Sequence, residues 1–343
     1  MSDGKVTSSQ VAKRAGVSRS AVSRAFTPGA SVSKRTAEKV RVAAHELGYR
    51  PNVLARSLIT GRSRIVGVVV AYLENQFYPE ALENLSRALQ AEGYHALVFM
   101  ASNTGAETEQ VIEELLDYQV DAIIGASIGM SNTLTLRCAA AGIPIVLFNR
   151  TQDDDRLSSV STNNRAGGRM VADLLIEGGH ERIGYIAGWE GASTQRDREA
   201  GFTEGLAKAG RRISDRAVGN FDLETTRAAT RDMFKSITPP DAVFVANDHM
   251  AFAVMDVLRF ELGLAIPDDV SVVGYDDTAL AAWPSYNLTT IRQPAQQMTS
   301  ETVRVVMERI DRSDAPPRQI QLPGRMILRG SARIPEGWIH EGL

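Results

Sequence analysis

The 343-residue sequence has few residues that bind metals or form disulfides: one cysteine, Cys138, and five scattered histidines. A single thiol cannot close an intramolecular disulfide, and no His and Cys spacing is typical of a structural zinc site. We therefore predict no metal site, no disulfide and no cofactor. Cys138 shares a helix face with Leu134 and Ala141 and is interpreted as a small core residue.

Long hydrophobic runs are also missing. No stretch approaches the roughly 18 consecutive apolar residues of a membrane-spanning helix. The first six residues, MSDGKV, do not combine a basic segment with the apolar run of an export signal. From these absences we expect a cytoplasmic protein with no membrane partner.

Several motifs of catalysis are absent, among them HExxH, the P-loop and GxGxxG. Asp276 and Asp277 form a carboxylate pair in sequence. Neighbours at the end of a strand point in different directions, so the two cannot face each other across one bond. We therefore predict that the chain is not an enzyme and has no catalytic residues.

The charge is distributed unevenly. Residues 1–62 contain 12 Lys and Arg but 3 Asp and Glu, a net charge of +9, whereas the remaining 281 residues carry −12. A basic segment joined to an acidic body predicts an anionic partner at one end and a separate task at the other.

Capping residues in the basic segment predict three short helices. Thr7 and Gln10 have the spacing of a capping box before a helix from Ser8, and Gly16 suits the turn that ends it. Ser18 caps a second helix to about Phe26, and a third helix, Lys34 to Leu47, follows the cap Ser33 and ends at Gly48. Two short helices joined by a glycine-containing turn form a helix-turn-helix.

The stretches VTSSQVAKRAGVSRSAVSRAF and VSKRTAEKVRVAAHELGYRPNVLARSL resemble, without gaps, the head of the lactose-repressor (LacI/GalR) family of bacterial transcription regulators. The resemblance implies that the second helix enters the major groove of DNA. It also implies a hinge over residues 50–59 that becomes helical on the operator, with Leu58 as a wedge in the minor groove. The expected DNA contacts are Ser18, Arg19, Ser20, Ala21, Ser23, Arg24, Thr27, Tyr49, Asn52, Ala55 and Leu58.

Some of these positions have alternatives. Ala21 stands where the family usually has threonine and lacks a hydroxyl that can contact phosphate or base, and Thr27 replaces a more usual asparagine. Arg19 has the planar fork that pairs with guanine, but it can equally contact phosphate without reading sequence. Leu58 can be an ordinary core leucine.

From Ile65 onward, apolar runs alternate with helical periods. IVGVVVA, HALVFM, AIIGA and IVLF, then IGYIA, AVFVA and VSVVGY, are typical of parallel strands buried on both faces. They predict two doubly wound α/β lobes. The resemblance continues through GIPIVLFNR, HERIGYIAG, REAGF, VFVANDHMA, VSVVGYDD and LTTIRQP, and implies a periplasmic-binding-protein-like core.

The expected domains are a helix-turn-helix head at 1–49, a hinge and linker at 50–62, and a two-lobed effector-binding and dimerisation core at 63–343. Within the core we expect an N-lobe of about 63–161 and 293–322, and a C-lobe of about 162–292 and 323–343.

Ligands of open α/β sheets bind at the carboxyl ends of the strands. The rule selects 72–78, 149–150, 189–198, 247–248 and 276–277. The resemblance adds roles: Arg198 matches the principal effector-binding arginine, Asn247 an amide that binds hydroxyls, Asp276 a carboxylate that accepts from them, and Asn149 an effector position. The expected effector-binding residues are Asn75, Phe77, Tyr78, Asn149, Arg150, Arg198, Asn247, Asp276 and Trp283.

Other roles are open for several of these side chains. Asp248 and Asp277 are interpreted as helix caps rather than ligand contacts. Arg150 can pair with a carboxylate between the lobes, and Phe77 or Trp283 can seal a lobe edge.

Together the observations predict a dimeric repressor of a near-palindromic operator in double-stranded DNA, controlled by a small hydroxylated effector such as a sugar or polyol. The alternative is a corepressor-dependent or activating regulator that responds to a sugar acid or a phosphorylated sugar.

Overall fold

The computed structural model describes residues 6–27, 30–50, 61–101 and 105–338. They form two compact units, one up to Arg64 and one from Ile65. The predicted hinge contacts Asn52, Ala55 and Leu58 lie outside the described residues.

The first unit has the three predicted helices, α1 (Ser8–Ala15), α2 (Arg19–Ala25) and α3 (Lys34–Leu47). The Thr7 hydroxyl and the Gln10 side chain form a capping box at α1. Ser18 and Ser33 cap α2 and α3 with hydrogen bonds of 3.2 and 3.1 Å to backbone amides. Gly16 and Gly48 end α1 and α3 with φ of 67° and 66°, which a side chain would strain. The capping predictions are confirmed.

A small apolar core joins these helices. Its buried members come from all three: Val11, Ala12, Val22, Val40, Ala43 and Ala44. The ring of Tyr49 packs on this core, 6.0 Å from the ring of Phe26. The predicted helix-turn-helix bundle is therefore present.

The second unit begins with the N-lobe, built on a six-stranded parallel sheet. Its strands are β1 (Ile65–Val70), β2 (His95–Met100), β3 (Ala122–Ala126), β4 (Ile145–Phe148), β5 (Ser158–Thr162) and β11 (Gln319–Leu322), in the order β11-β5-β4-β3-β1-β2. Its helices are α4 (Phe77–Ala91), α5 (Gly105–Asp117), α6 (Asn132–Ala140) and α11 (Ala295–Asp311). Apolar clusters on both faces bury β1, β3 and β4, and Cys138 lies in one of them, as predicted.

One strand departs from expectation. HALVFM, predicted to be buried on both faces, is the edge strand β2, which pairs with β1 alone among the described strands. Val98 and Met100 are 41% and 49% exposed. The apolar composition indicated a strand, but its place in the sheet depends on strand order, which composition does not specify.

The C-lobe is built on a second six-stranded sheet, parallel except for its last strand. Its strands are β6 (Ile183–Ala187), β7 (Asp215–Val218), β8 (Ala242–Val245), β9 (Ser271–Asp276), β10 (Thr289–Arg292) and β12 (Arg325–Ile327), in the order β12-β10-β9-β8-β6-β7. Its helices are α7 (Asn164–Glu177), α8 (Ser193–Lys208), α9 (Leu223–Phe234) and α10 (Asp248–Asp256), which continues as a π turn, with a 3₁₀ turn at Ala279–Ala282.

The chain passes between the lobes three times: after β5, after β10 and after β11. The crossing segments are residues 163, 293–294 and 323–324. Three short crossing segments allow the lobes to hinge, while each lobe keeps its own hydrophobic core.

Candidate functional site

Several residues at the carboxyl ends of the strands have a positive φ, although they are not glycines. Ser127, Asn149 and Phe221 have φ of 63°, 55° and 61°, and Asp276 and Asp277 have φ of 134° and 57°. A left-handed backbone is costly for residues other than glycine, and such positions concentrate at binding sites. Asn149, Asp276 and Asp277 lie at strand ends that the sequence selected, whereas Ser127 and Phe221 lie at strand ends that it did not select.

Asp276 is the centre of a buried hydrogen-bond network that joins the lobes. Its Oδ2 accepts from Asn75 Nδ2 of the N-lobe at 2.9 Å, and its Oδ1 accepts from Gln293 Nε2 at 2.7 Å. Gln293 lies in a crossing segment and accepts in turn from Thr162 Oγ1 at 2.7 Å. Burial raises the pKa of the Asp276 carboxyl, against the opposing effect of Arg198.

Arg198 lies beside Asp276, and its side chain is 3% exposed. Its Nη2 is 3.5 Å from Asp276 Oδ1, its Nη1 donates to the Ala246 carbonyl at 2.6 Å, and its Nε donates to Asn164 Oδ1 at 2.9 Å. Its guanidinium carbon is 3.7 Å from the centre of the Tyr275 ring. These contacts hold the guanidinium in one place.

Two glycines explain how Arg198 reaches this position. A Cβ on Gly201 of α8 would lie 2.0 Å from the Arg165 carbonyl oxygen, and a Cβ on Gly168 of α7 would lie 2.2 Å from the Arg198 carbonyl oxygen. Helices α7 and α8 therefore approach more closely than any side chain allows. Within the REAGF motif, Gly201 lies one helical turn after Arg198, so the close contact that Gly201 makes with α7 positions Arg198 as well.

Two asparagines leave polar atoms without a partner among the described residues. Asn247 caps α10 through its Oδ1, which accepts from the Met250 amide at 2.9 Å, and its buried Nδ2 is unpaired there. In the N-lobe, Asn149 Nδ2 lies 3.3 Å from the Tyr78 hydroxyl, and its buried Oδ1 is likewise unpaired. Buried polar atoms are normally hydrogen-bonded, so these two are candidate ligand contacts.

Aromatic rings bridge the lobes at the same place. Tyr72 packs against the cores of both lobes, and its ring stacks on that of Phe221 at 6.2 Å with an interplanar angle of 20°. It also meets the ring of Tyr78 edge-on at 5.2 Å. Burial raises the pKa of the Tyr72 hydroxyl well above its usual value, so it remains protonated.

Two aromatic residues that were predicted to bind the effector, Phe77 and Trp283, lie elsewhere. Phe77 packs in the N-lobe core against Phe148, with ring centres 6.1 Å apart. Trp283 is 56% exposed, after the 3₁₀ turn, and does not join the buried network. Phe221, which the prediction omitted, takes the bridging position instead. It follows β7, whose partly exposed sequence DRAV gave no apolar run to mark the strand.

Arg150 is 4% exposed and spans the lobes without a carboxylate. Its Nη2 donates to Ser127 Oγ at 2.8 Å and its Nη1 to Thr194 Oγ1 at 2.5 Å. In the described part of the chain no Asp or Glu oxygen lies within 4 Å of its nitrogens. Among the described residues its partners are hydroxyls, and the alternative of an inter-lobe ion pair for Arg150 finds no carboxylate there.

Neither Asp248 nor Asp277 is a helix cap, contrary to the prediction. Asp248 is fully buried and accepts from the Thr278 amide at 2.8 Å and from Thr290 Oγ1 at 2.6 Å, while Asn247 caps the helix. Burial, reinforced by the nearby Asp276 charge, raises the pKa of Asp248 to about 7. Asp277 pairs with Arg292 at 2.5 Å and Arg329 at 2.7 Å.

The first unit presents a separate polar surface on α2. Arg19, Ser20, Ser23 and Arg24 are exposed, and Ala21 is half-buried. Among the described residues, Arg19 and Arg24 have no carboxylate within ion-pair distance, so both guanidinium groups face solvent. The Ser18 hydroxyl caps α2 and lies 2.9 Å from that of Ser20, and Thr27 Oγ1 donates to the Ser23 carbonyl.

Comparisons with known proteins agree with this division. The family profile described as "Bacterial regulatory proteins, lacI family" matches residues 9–52, and the one described as "Periplasmic binding protein-like domain" matches residues 172–332. The chain is 33% identical over 334 residues to the HTH-type transcriptional regulator CelR of Thermobifida fusca, covering 95% of this chain and 98% of that protein. The chain belongs to the LacI family.

Other LacI-family members are similar over their full length. The ribose operon repressor of Escherichia coli (strain K12) is 30% identical over 331 residues, covering 95% of this chain and 99% of that protein. A solved CelR–cellobiose complex has a TM-score of 0.73 and 31% identity, covering 96% of this chain and 100% of that one. The lac repressor dimer bound to operator and the anti-inducer ONPF has a TM-score of 0.86 and 26% identity, covering 96% and 99%.

As a LacI-family protein, the chain is a DNA-binding transcription regulator and not an enzyme. The sequence contains one match to the hydrolase motif GxSxG, at residues 125–129. Ser127 Oγ within it accepts a hydrogen bond from Arg150, and a guanidinium cannot serve as the general base of a serine nucleophile.

The described helices include none that is long and apolar enough to cross a membrane. The same part of the chain contains no group of three or more His, Cys, Asp or Glu side chains placed to hold a metal ion.

Proposed function

We propose that the chain is a repressor whose operator binding is controlled by a small, neutral, hydroxylated effector, a sugar or polyol, bound between the two lobes. The observation that carries the proposal is the pair of buried, unpaired polar atoms on opposite lobes, Asn149 Oδ1 and Asn247 Nδ2. One accepts and the other donates, and a hydroxyl group does both. A ligand with several hydroxyls satisfies such a pair.

The rest of the network fits the same chemistry. Asp276 accepts from hydroxyls, Arg198 donates to them, and the rings of Tyr72 and Phe221 offer apolar faces to the C–H surface of a sugar. Because Asn75 and Gln293 already donate to Asp276, a bound hydroxyl competes with contacts that join the lobes. Effector binding therefore changes the closure of the lobes, and through it the hinge.

On the DNA side, we propose that the exposed face of α2 binds the major groove of a near-palindromic operator, with two copies of the chain bound together. The lac repressor similar to this chain is a dimer on its operator. The outer edge of β2 has no partner among the described strands, and Val98 and Met100 are exposed there, so we expect a second copy to cover this backbone and these apolar side chains. We expect Met100→Glu to shift the full-length protein from dimer to monomer in sedimentation velocity, and unchanged sedimentation contradicts this surface.

A second candidate is an acidic effector, a sugar acid or a phosphorylated sugar, with corepression or activation. The observation that favours it is Arg150, a buried cation that contacts hydroxyls alone among the described side chains. A carboxylate or phosphate would pair with it. Against this, the nearby Arg198 is already balanced by Asp276, which would repel a second anion.

The test is thermal-shift screening of the full-length protein against neutral sugars, polyols, sugar acids and sugar phosphates. A ligand at 100 times its Kd adds about 2.7 kcal/mol of stability, which is readily detected. Stabilisation by a neutral compound supports the proposal. Stabilisation by acidic compounds alone favours the second candidate, and none from any class contradicts both.

A matched pair of variants locates the site. Asn247→Ser keeps an oxygen that caps α10 but removes the amide donor, so we expect normal folding and at least a tenfold weaker effector affinity. Asn163→Ser makes the same change at the cap of α7, where the side chain accepts from the Ala166 amide. It should leave effector affinity unchanged, and equal effects of the two variants contradict the site.

A further inference from the structure

A cavity of about 230 Å³ lies between the lobes, beside the network around Asp276. The N-lobe contributes Glu74, Asn75 and Gln76, and the C-lobe contributes residues of α9, α10 and the segment after β9. Its size is below the roughly 300–1,000 Å³ of pockets that enclose a whole small ligand. It is therefore suited to one part of a ligand whose other part is held nearby.

The cavity and the network share a wall. Asn75 lines the cavity and also donates to Asp276 at 2.9 Å. Thr278 lines it as well and donates its amide to Asp248 at 2.8 Å. His249 lies two residues after Asn247 on the first turn of α10. A ligand bound at Asn247 and Asp276 would thus lie next to the cavity, with the Asn75 side chain between them.

The lining combines an apolar floor with a polar rim. Phe252 and Tyr286 pack with ring centres 4.3 Å apart, and Leu223 and Leu280 lie beside them. On the rim, His249 has a buried Nε2 with no hydrogen-bond partner among the described residues. Apolar C–H faces edged by hydroxyls are the surface of a saccharide ring, and an unpaired imidazole nitrogen suits one of those hydroxyls.

The charges of the cavity argue against an anionic group there. Glu74 and Asp256 line it, and its one arginine, Arg227, is paired with Glu224 at 2.5 Å. Burial lowers the pKa of His249, so its imidazole is neutral near pH 7. A phosphate or carboxylate would therefore find no unbalanced cation.

We propose that this cavity is a second saccharide subsite, and that the effector is a neutral saccharide of at least two rings. The proposal rests on the proposed function, because it assumes that the first ring is held by Asn247 and Asp276. It adds the size of the effector and residues that select for it: His249, Glu74 and Gln76.

The test compares monosaccharides with their dimers, using isothermal titration of the full-length protein with glucose, cellobiose and maltose and with galactose and lactose. Gln76→Trp fills the cavity from an exposed N-lobe position, and Gln90→Trp makes the same change at the other end of α4. We expect one disaccharide to bind at least tenfold more tightly than its monosaccharides, and the preference to fall to about one in Gln76→Trp but not in Gln90→Trp.

A monosaccharide that binds as tightly as every disaccharide overturns the subsite and leaves the proposed function standing. A disaccharide preference that survives Gln76→Trp also overturns it. His249→Leu provides a second check that removes the imidazole nitrogen without filling the cavity: it should weaken binding of the disaccharide and leave binding of the monosaccharide unchanged, and an equal loss for both contradicts the subsite. If none of these saccharides binds, the subsite is overturned, and the thermal-shift screen then decides the proposed function separately.

Discussion

Asn75 of the N-lobe donates a hydrogen bond of 2.9 Å to the buried carboxylate of Asp276 in the C-lobe. The side-chain amide thus occupies an acceptor position that we assign to an effector hydroxyl. Because the two residues lie on different lobes, this bond stabilises the closed arrangement without any effector. Effector binding therefore replaces an internal contact in addition to forming new ones.

The first prediction follows from this bond. Asn75→Ala should open the cleft of the effector-free protein, since a hydrogen bond to a charged group contributes about 1.5–3 kcal/mol, equivalent to at least about a tenfold change in the opening equilibrium. Hydrogen exchange should then be faster in the segment after β1 and at the end of β9. Exchange identical to wild type in both segments would show that the bond does not hold the lobes together.

A second prediction concerns the contact between α7 and α8. Gly201→Ala places a methyl group 2.0 Å from the Arg165 carbonyl, so we expect a loss of about 1–3 kcal/mol in unfolding free energy and weaker effector binding through displaced Arg198. Gly129→Ala is the matched control, because a Cβ there meets nothing within 4 Å. Chemical denaturation and titration calorimetry measure both effects, and equal stability of the two variants argues against the close approach.

The third prediction is a pH dependence of stability. Asp248 has its pKa raised from 3.8 to about 7, so between these values the folded state keeps a proton that the unfolded state releases. Its contribution to stability is complete below about pH 4 and is lost as the pH rises through about 7. Thermal unfolding from pH 5.5 to 8.5 should therefore show wild type losing stability relative to Asp248→Asn.

The histidines do not obscure this comparison. His180 and His249 have lowered pKa values, which give the opposite pH dependence, but both residues are present in the two proteins. Parallel curves for wild type and Asp248→Asn would mean that Asp248 does not titrate in this range.

The fourth prediction distinguishes the two roles left open for Arg19. If its exposed guanidinium reads a guanine, Arg19→Ala should weaken the preferred operator by about 1–3 kcal/mol and other sequences much less. Arg41→Ala, an exposed arginine of α3, is the control and should preserve the ratio of specific to non-specific affinity. Fluorescence anisotropy at fixed salt measures it, and equal weakening on all sequences makes Arg19 a phosphate contact.

Features that depend on neighbouring residues in the sequence, such as helix caps and strand ends, were predicted better than features that depend on residues distant in the sequence. The caps Thr7, Ser18 and Ser33 depend on neighbours three residues away, and all three were predicted correctly. The buried runs located the ends of the central strands, and with them Asn149, Asn247 and Asp276. These features require no knowledge of which strand lies beside which.

The failures depend on strand order and on contacts distant in sequence. β2 is exposed because it is the edge strand, and Phe221 was missed because β7 is short and half-polar. Asp248 is directed into the lobe by Thr278 and Thr290, 30 and 42 residues away, rather than onto its own helix. No pattern within a single helix or strand reveals such partners.

Control of operator binding by the inter-lobe site requires that effector and operator affect each other's affinity. With the saccharide identified by screening, operator affinity is measured with and without effector, and effector affinity with and without operator. We predict that both change by the same factor, about 5- to 150-fold, in wild type, and that Asn247→Ser needs an effector concentration at least about tenfold higher for the same change in operator affinity. An effector that binds wild type tightly while operator affinity stays the same would contradict the account.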